Sequence, residues 1–167
     1  MKKSKHIKSI VICSLLSSIA VVLQTAPIYL PGLGIFLSPL STLPIAIAAI
    51  ISIPLGIYVY IASILLLLIL NLQESIIFLF TTGLIGLLIG LIIFRKGLFI
   101  SICASSISLI LGMIVLTYII SIPGFSLLFQ ETKFYIVIII YVFFSIIYNS
   151  IWNVIILKYR KHIELLV

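Results

Sequence analysis
The run SIVICSLLSSIAVVLQTAPIYLPGLGIFLSPLSTLPIAIAAIISIPLGIYVYIASILLLLILNLQ, from Ser9 to Gln73, contains no charged side chain. Three more charge-free runs follow it, Ser75–Phe94, Gly97–Gln130 and Phe134–Leu157. Every charge lies at a chain end or in a short joint between apolar blocks. An ionised side chain at a bilayer centre costs about 2.5–3.5 kcal/mol on insertion scales. A water-soluble core has no need to exclude charge over such lengths, so the chain reads as an integral membrane protein.

Composition agrees. Of 167 residues, 64% are hydrophobic and 8% charged, against about 25% charged in soluble domains. A span needs about 20 apolar residues. The charge-free runs therefore accommodate six spans, at 8–28, 37–52, 54–71, 75–94, 98–121 and 134–157. Little is left over, so the expected fold is one compact all-α bundle of six transmembrane helices. The decisive point inside the opening run is Ser52-Ile53-Pro54. Proline lacks a backbone donor and clashes with the preceding turn, which suits a tight inter-helix turn; one long kinked helix over 37–71 is the alternative.

Charge parity separates the two. With six spans, Lys2, Lys3, Lys5 and Lys8 share one side with Arg95-Lys96 and with Lys158, Arg160 and Lys161. The other side holds only Glu74, Glu131 and Lys133. A fused second helix puts Arg95-Lys96 opposite the N-terminal lysines. Basic residues concentrate in cytoplasmic segments, so six spans with both termini cytoplasmic is the consistent arrangement. Tyr29, Phe36, Phe129 and Tyr135 then fall near the outer ends, and Phe94, Phe99, Trp152 and Tyr159 near the inner ends, as in interfacial aromatic belts. Gln24-Thr25-Ala26 lacks a small-x-small cleavage pattern, so the N-terminal apolar run reads as a span rather than a signal peptide. Cys13 and Cys103 lie at similar depth near the reducing side, where a structural disulfide is not expected.

Several function classes drop out. The net charge of +7 comes from residues flanking the spans, as anchoring charge does, and implies lipid rather than nucleic acid as the partner. The sequence has no aspartate, and its histidines, His6 and His162, sit in the polar tails. Intramembrane aspartyl or Ser–His hydrolysis has no residues to use. No phosphate loop ending in Gly-Lys-Ser/Thr is present, so the chain does not hydrolyse ATP itself. No Cys, His, Asp and Glu cluster has metal spacing, and no cofactor is implied.

The candidate binding residues are the polar groups at the outer ends. Gln24 closes the first span, Asn71, Gln73 and Glu74 join the third and fourth, and Glu131, Lys133 and Tyr135 precede the sixth. An outward pocket lined by amides, aromatics and one or two charges suits a small polar solute. Plainer readings stand beside this one: Glu131 and Lys133 as a solvated pair, Glu74 as a helix N-terminal charge favoured by the dipole. The first outer loop is apolar and shaped by Pro27, Pro31, Gly32, Gly34 and Pro39. Pro31, Gly32 and Gly34 make it a candidate gate; a membrane-hugging connector is the alternative.

Small residues mark helix faces, since they let backbones approach closely in lipid. Gly83, Gly86 and Gly90 form one such face, and Ala104, Ser108 and Gly112 another. Ser9, Cys13 and Ser17 recur every four residues in the first span, with Ser14 and Ser18 beside them. This stripe either packs within the bundle or docks a partner membrane protein. In the sixth span Tyr141, Ser145, Tyr148, Asn149, Trp152 and Asn153 fall on one helical face. Asn149 and Asn153, in the cytoplasmic half, read as inter-helix hydrogen bonding or gating.

The lysine-rich start, the small-residue stripe and the Pro/Gly outer loop together resemble the substrate-binding S components of energy-coupling factor (ECF) vitamin transporters. Leu43-Pro44-Ile45-Ala46-Ile47-Ala48-Ala49, Ile53-Pro54-Leu55-Gly56 and the Gly83/Gly86/Gly90 run closing with Arg95-Lys96 add to the likeness, which covers the whole chain in length and span count. The resemblance implies a six-helix subunit that captures a micronutrient on the outer side behind a first-loop gate. It also implies that the first span meets a transmembrane coupling subunit and that separate ATPase subunits supply energy. The chain carries Ser and Cys where such proteins typically show Ala-x-x-x-Ala. Two other classes stay open: an accessory membrane protein that binds other subunits without transport, and a self-contained permease, for which Glu74 alone is available as a coupling carboxylate.

Overall fold
The computed structural model describes residues 2–122 and 133–159, with side chains from Ile7 onward. Glu131 and Phe129 lie outside the described residues. The described residues are helical, with no strand among them. Six segments are long and apolar enough to cross a membrane: Ile7–Tyr29, Leu33–Ile51, Ile53–Leu70, Leu72–Lys96, Leu98–Ile119 and Phe134–Lys158. In finer detail the chain runs through α1 (Lys2–Tyr29), α2 (Leu33–Leu37), a 3-10 turn (Ser38–Ser41), α3 (Thr42–Ile51) and α4 (Ile53–Leu70). It continues through α5 (Leu72–Phe80), α6 (Thr82–Lys96), α7 (Leu98–Ile114), a π-type turn (Val115–Ile119) and α8 (Phe134–Lys158).

Single residues make three of the joints. Ser52 is extended (φ −160°, ψ 147°) and its Oγ accepts from Leu55 N at 3.3 Å. Pro54 lies in the first turn of α4, where its missing N–H leaves nothing unpaired. The second and third spans are therefore separate helices. Asn71 repeats the device: extended backbone, with Oδ1 accepting from Glu74 N at 3.0 Å. Side-chain caps of this kind satisfy donors that a helix start leaves free. Gly97 turns at φ 89°, a left-handed conformation open to glycine at little cost. Arg95 and Lys96 precede it in the last turn of α6, where cations complement the helix dipole.

The interior mixes apolar side chains with many hydroxyls and amides; the outside is large and apolar. Ile10, Val22, Ile69 and Phe143 are exposed, whereas Ser41, Thr42, Ser63, Ser105 and Ser145 are fully buried. In water this distribution would expose far more contiguous apolar surface than a monomer tolerates. In lipid, with no hydrophobic drive between helices, close backbone packing takes over. A Cβ on Gly86 would lie 2.5 Å from Thr42 O, and one on Gly90 2.6 Å from Ala46 O, so α6 rests directly on the α3 backbone. Gly83 admits the ring of Phe78 from its own span. The buried face of α7 runs through Ser101, Ser105, Ser106, Leu109, Gly112 and Met113; Ala104 and Ser108 flank it, half-buried.

The polar face of α8 turns inward as one stripe: Tyr141, Ser145, Asn149 and Asn153 are fully buried. Two sequence expectations need correcting there. Trp152 does not sit in an interfacial belt; it is 6% exposed and packs edge-on against Tyr148, because it shares the stripe's inward face. Asn149 and Asn153 do not bond across helices. Asn149 Nδ2 donates to Ser145 O at 2.9 Å and Asn153 Nδ2 to Asn149 O at 2.8 Å, the carbonyl one turn back being nearest. Ser145 makes the cross-helix bond instead, its Oγ donating to Ser106 O at 2.8 Å.

Three spans depart from regular α-helix. The second opens with the 3-10 turn at Ser38–Ser41, the fourth breaks at Thr81 (φ −125°, ψ −100°), and the fifth ends in the π-type turn. Irregular backbone at membrane depth survives only where protein buries it or a cavity takes it up.

Candidate functional site
Two of these irregular segments meet. A half-open cavity of about 180 Å³ takes Pro39 from the 3-10 turn, Thr81 and Thr82 from the break, and Met113 from the last turn of α7. Tyr148 and Phe144 of α8 close it, with Ile77, Ile85 and Leu109 completing an apolar wall. The cavity belongs to the half of the bundle nearer Tyr29 and Asn71. Broken helices and π-type turns recur at the ligand sites of membrane proteins.

A buried polar network adjoins the cavity. Gln24 of α1 is fully buried. Its Oε1 accepts from Ser41 Oγ at 2.9 Å and from Thr82 Oγ1 at 2.8 Å, and its Nε2 donates to Glu74 Oε2 at 2.8 Å. One amide thus ties α1, the 3-10 turn, α5 and α6 together. Thr82 belongs to both network and cavity. On the opposite wall, Tyr148 OH lies 2.9 Å from Thr42 Oγ1 and 3.3 Å from Pro39 O. Thr81 Oγ1 donates to Ile77 O at 2.6 Å.

The structure brings together the side chains of two of the sequence-predicted residues, Gln24 and Glu74; Asn71 reaches only the backbone of Glu74, and Gln73, Lys133 and Tyr135 stand outside the network. Asn71 caps α5. Gln73 is exposed, and with Asn71 it borders a shallow depression of about 420 Å³ beside Ile120, Ser121 and Ile122. Ser121 there has φ 56°, a strained conformation for a residue with a side chain. Lys133 and Tyr135 are exposed at the start of α8. In the first loop, Gly32 turns at φ 89° with open space around it. Gly34 is buried against the backbone of Ala26 and Pro27, and its N–H donates to Leu30 O at 2.7 Å. Pro31 stays exposed, so the loop turns at Gly32 and is pinned at Gly34.

The Ser/Cys stripe of α1 lines a separate feature, a lateral groove of about 610 Å³ against α4. Ser9, Cys13, Ser14 and Ser18 form one wall, and Tyr58, Ala62, Leu65 and Leu66 the other. Ser17 is buried, its Oγ donating to Cys13 O at 2.8 Å. The groove lies toward the Lys96 end, away from the cavity. Both cysteines are free thiols.

Sequence reasoning missed Ser41, Thr42, Thr82 and the apolar cavity wall. Paired hydroxyls inside apolar runs, Ser41-Thr42 and Thr81-Thr82, were the available signal. No family, curated protein or solved structure matches this chain.

Proposed function
We propose that this protein is a membrane-embedded capture subunit for a small solute, of the size and kind of a vitamin-like micronutrient, with separate coupling and ATPase subunits supplying the energy. The observation that carries the reading is the meeting of two irregular segments, the 3-10 turn and the Thr81 break, with the end of α7 on one cavity. Regular spans would pack more tightly, so the departures have a use if the bundle must admit and release a ligand. The Pro31-Gly32 turn lies at the same end and suits a gate. The basic residues at the far end support an orientation with the cavity outward and both termini in the cytoplasm of a cell-membrane protein.

The α1–α4 groove, in the inner half under this orientation, is where a coupling subunit's helix would seat, with serine and cysteine allowing close approach. The sequence carries no phosphate loop, which fits an energy source on another chain. The test has two parts. Protein in nanodiscs should bind a solute saturably, and cells should accumulate it only when coupling and ATPase subunits are co-expressed. Flux through the purified protein alone would contradict the reading. The groove, larger than the cavity, favours a second reading, an accessory protein that binds other subunits through α1. That reading predicts a stable complex with a larger membrane partner and no solute binding.

A further inference from the structure
We propose that the cavity selects a neutral, largely apolar single-ring solute, rather than the small polar solute the sequence suggests. The inference rests on the capture-subunit reading and names its substrate class.

Size comes first. A dry apolar cavity of roughly 150 Å³ in a protein accepts benzene, and this one measures about 180 Å³. A ring of about six to eight non-hydrogen atoms fits on that scale.

Polarity follows from where the hydroxyl protons go. Thr82 donates to Gln24 and Thr81 to Ile77 O. Tyr148 is engaged with Thr42 and Pro39 O. Every hydroxyl on the cavity wall already has a protein partner, and the surface turned to the cavity is apolar. The wall has no donor to give. A solute carbonyl or carboxylate would be buried without a donor, which is costly.

Charge is excluded on the same grounds. No charged side chain lines the cavity. Glu74 connects to it only through Gln24, whose amide separates the carboxylate from Thr82. A cation would lose its water without meeting the carboxylate, and an anion would meet no positive group.

The test uses 4-fluorophenol as a fluorine-NMR probe on protein in nanodiscs, with empty nanodiscs reporting lipid partitioning. The expected result is a saturable, protein-bound signal displaced by p-cresol and toluene. Benzoate and benzylammonium should compete at least tenfold more weakly. Leu109→Trp fills the cavity and should abolish the signal. Met113→Ala enlarges it and should improve competition by 2-naphthol at least tenfold; this variant serves if Leu109→Trp does not fold. Equal competition by either charged ring, or a signal that survives Leu109→Trp in folded protein, would overturn the proposal. Saturable binding of a charged or polyhydroxylated solute, indifferent to both substitutions, overturns the substrate class and leaves the capture reading standing. Absence of saturable binding by any solute tried, with a stable partner complex, overturns both.

Discussion

A glutamine buried at membrane depth must find partners for an acceptor and two donors. Gln24 fills both acceptor positions and one donor position, using side chains from three other segments. Removing it would strand two hydroxyls and a carboxylate together. Gln24→Leu, close in volume, should lower stability by about 2–4 kcal/mol, since each buried orphan costs about 1–3 kcal/mol and the stranded groups partly relax. Unfolding of the purified protein in mixed micelles measures this; a cost within about 0.5 kcal/mol, as at an ordinary surface position, would show that the network does not hold the bundle. Glu74→Gln keeps an acceptor for Gln24 Nε2 and should stay within about 1 kcal/mol of the parent, whereas Glu74→Ala should cost about 1–2 kcal/mol. If the two cost the same, the carboxylate's charge rather than its hydrogen bond matters. Gln24 and Glu74 were each visible in the sequence as polar residues at span ends. Their partnership was not, because it bridges a separation of 50 residues and Ser41 and Thr82 join from 17 and 58 residues away. Helical periodicity registers only neighbours within one face, which is why the α8 stripe was legible and the network was not.

At the scale of helices, glycine decides where two backbones meet. A leucine at Gly90 would drive side-chain atoms into Ala46 O and Ala49 Cβ, both 2.6 Å from the first added carbon. Gly90→Leu should cost about 3 kcal/mol or more and appear as loss of monodisperse protein on size exclusion. Gly32→Ala meets no neighbour but must hold φ 89°. It should cost about 1 kcal/mol and leave the protein monodisperse. Equal behaviour of the two variants would contradict the α3–α6 contact. Ser52→Ala removes the cap on α4 and should cost about 1 kcal/mol, read in the same unfolding assay. The break at Ser52 was legible because proline and charge parity both report on it. The 3-10 turn, the Thr81 break and the π-type turn were not, because hydropathy registers the length of an apolar run and is blind to which helix type it adopts. The first two of those segments line the cavity.

Across the described residues the outward surface is mostly large and apolar, most buried polar groups are hydroxyls and amides, and charge collects at the two ends. The basic end carries Arg95, Lys96 and Lys158; the other carries Asn71, Gln73 and Glu74. The cavity sits toward the second end and the α1–α4 groove toward the first, so the proposed capture and docking sites lie at opposite faces of the membrane. That assignment depends on the orientation of the bundle. Gln73 and Lys96 are both exposed, at opposite ends of the fourth span. With Cys13 and Cys103 changed to serine, Gln73→Cys and Lys96→Cys can be probed with a membrane-impermeant maleimide on intact cells. The account predicts that Gln73→Cys reacts from outside while Lys96→Cys reacts only after permeabilisation; reaction of both from the same compartment, or the reverse order, would contradict it.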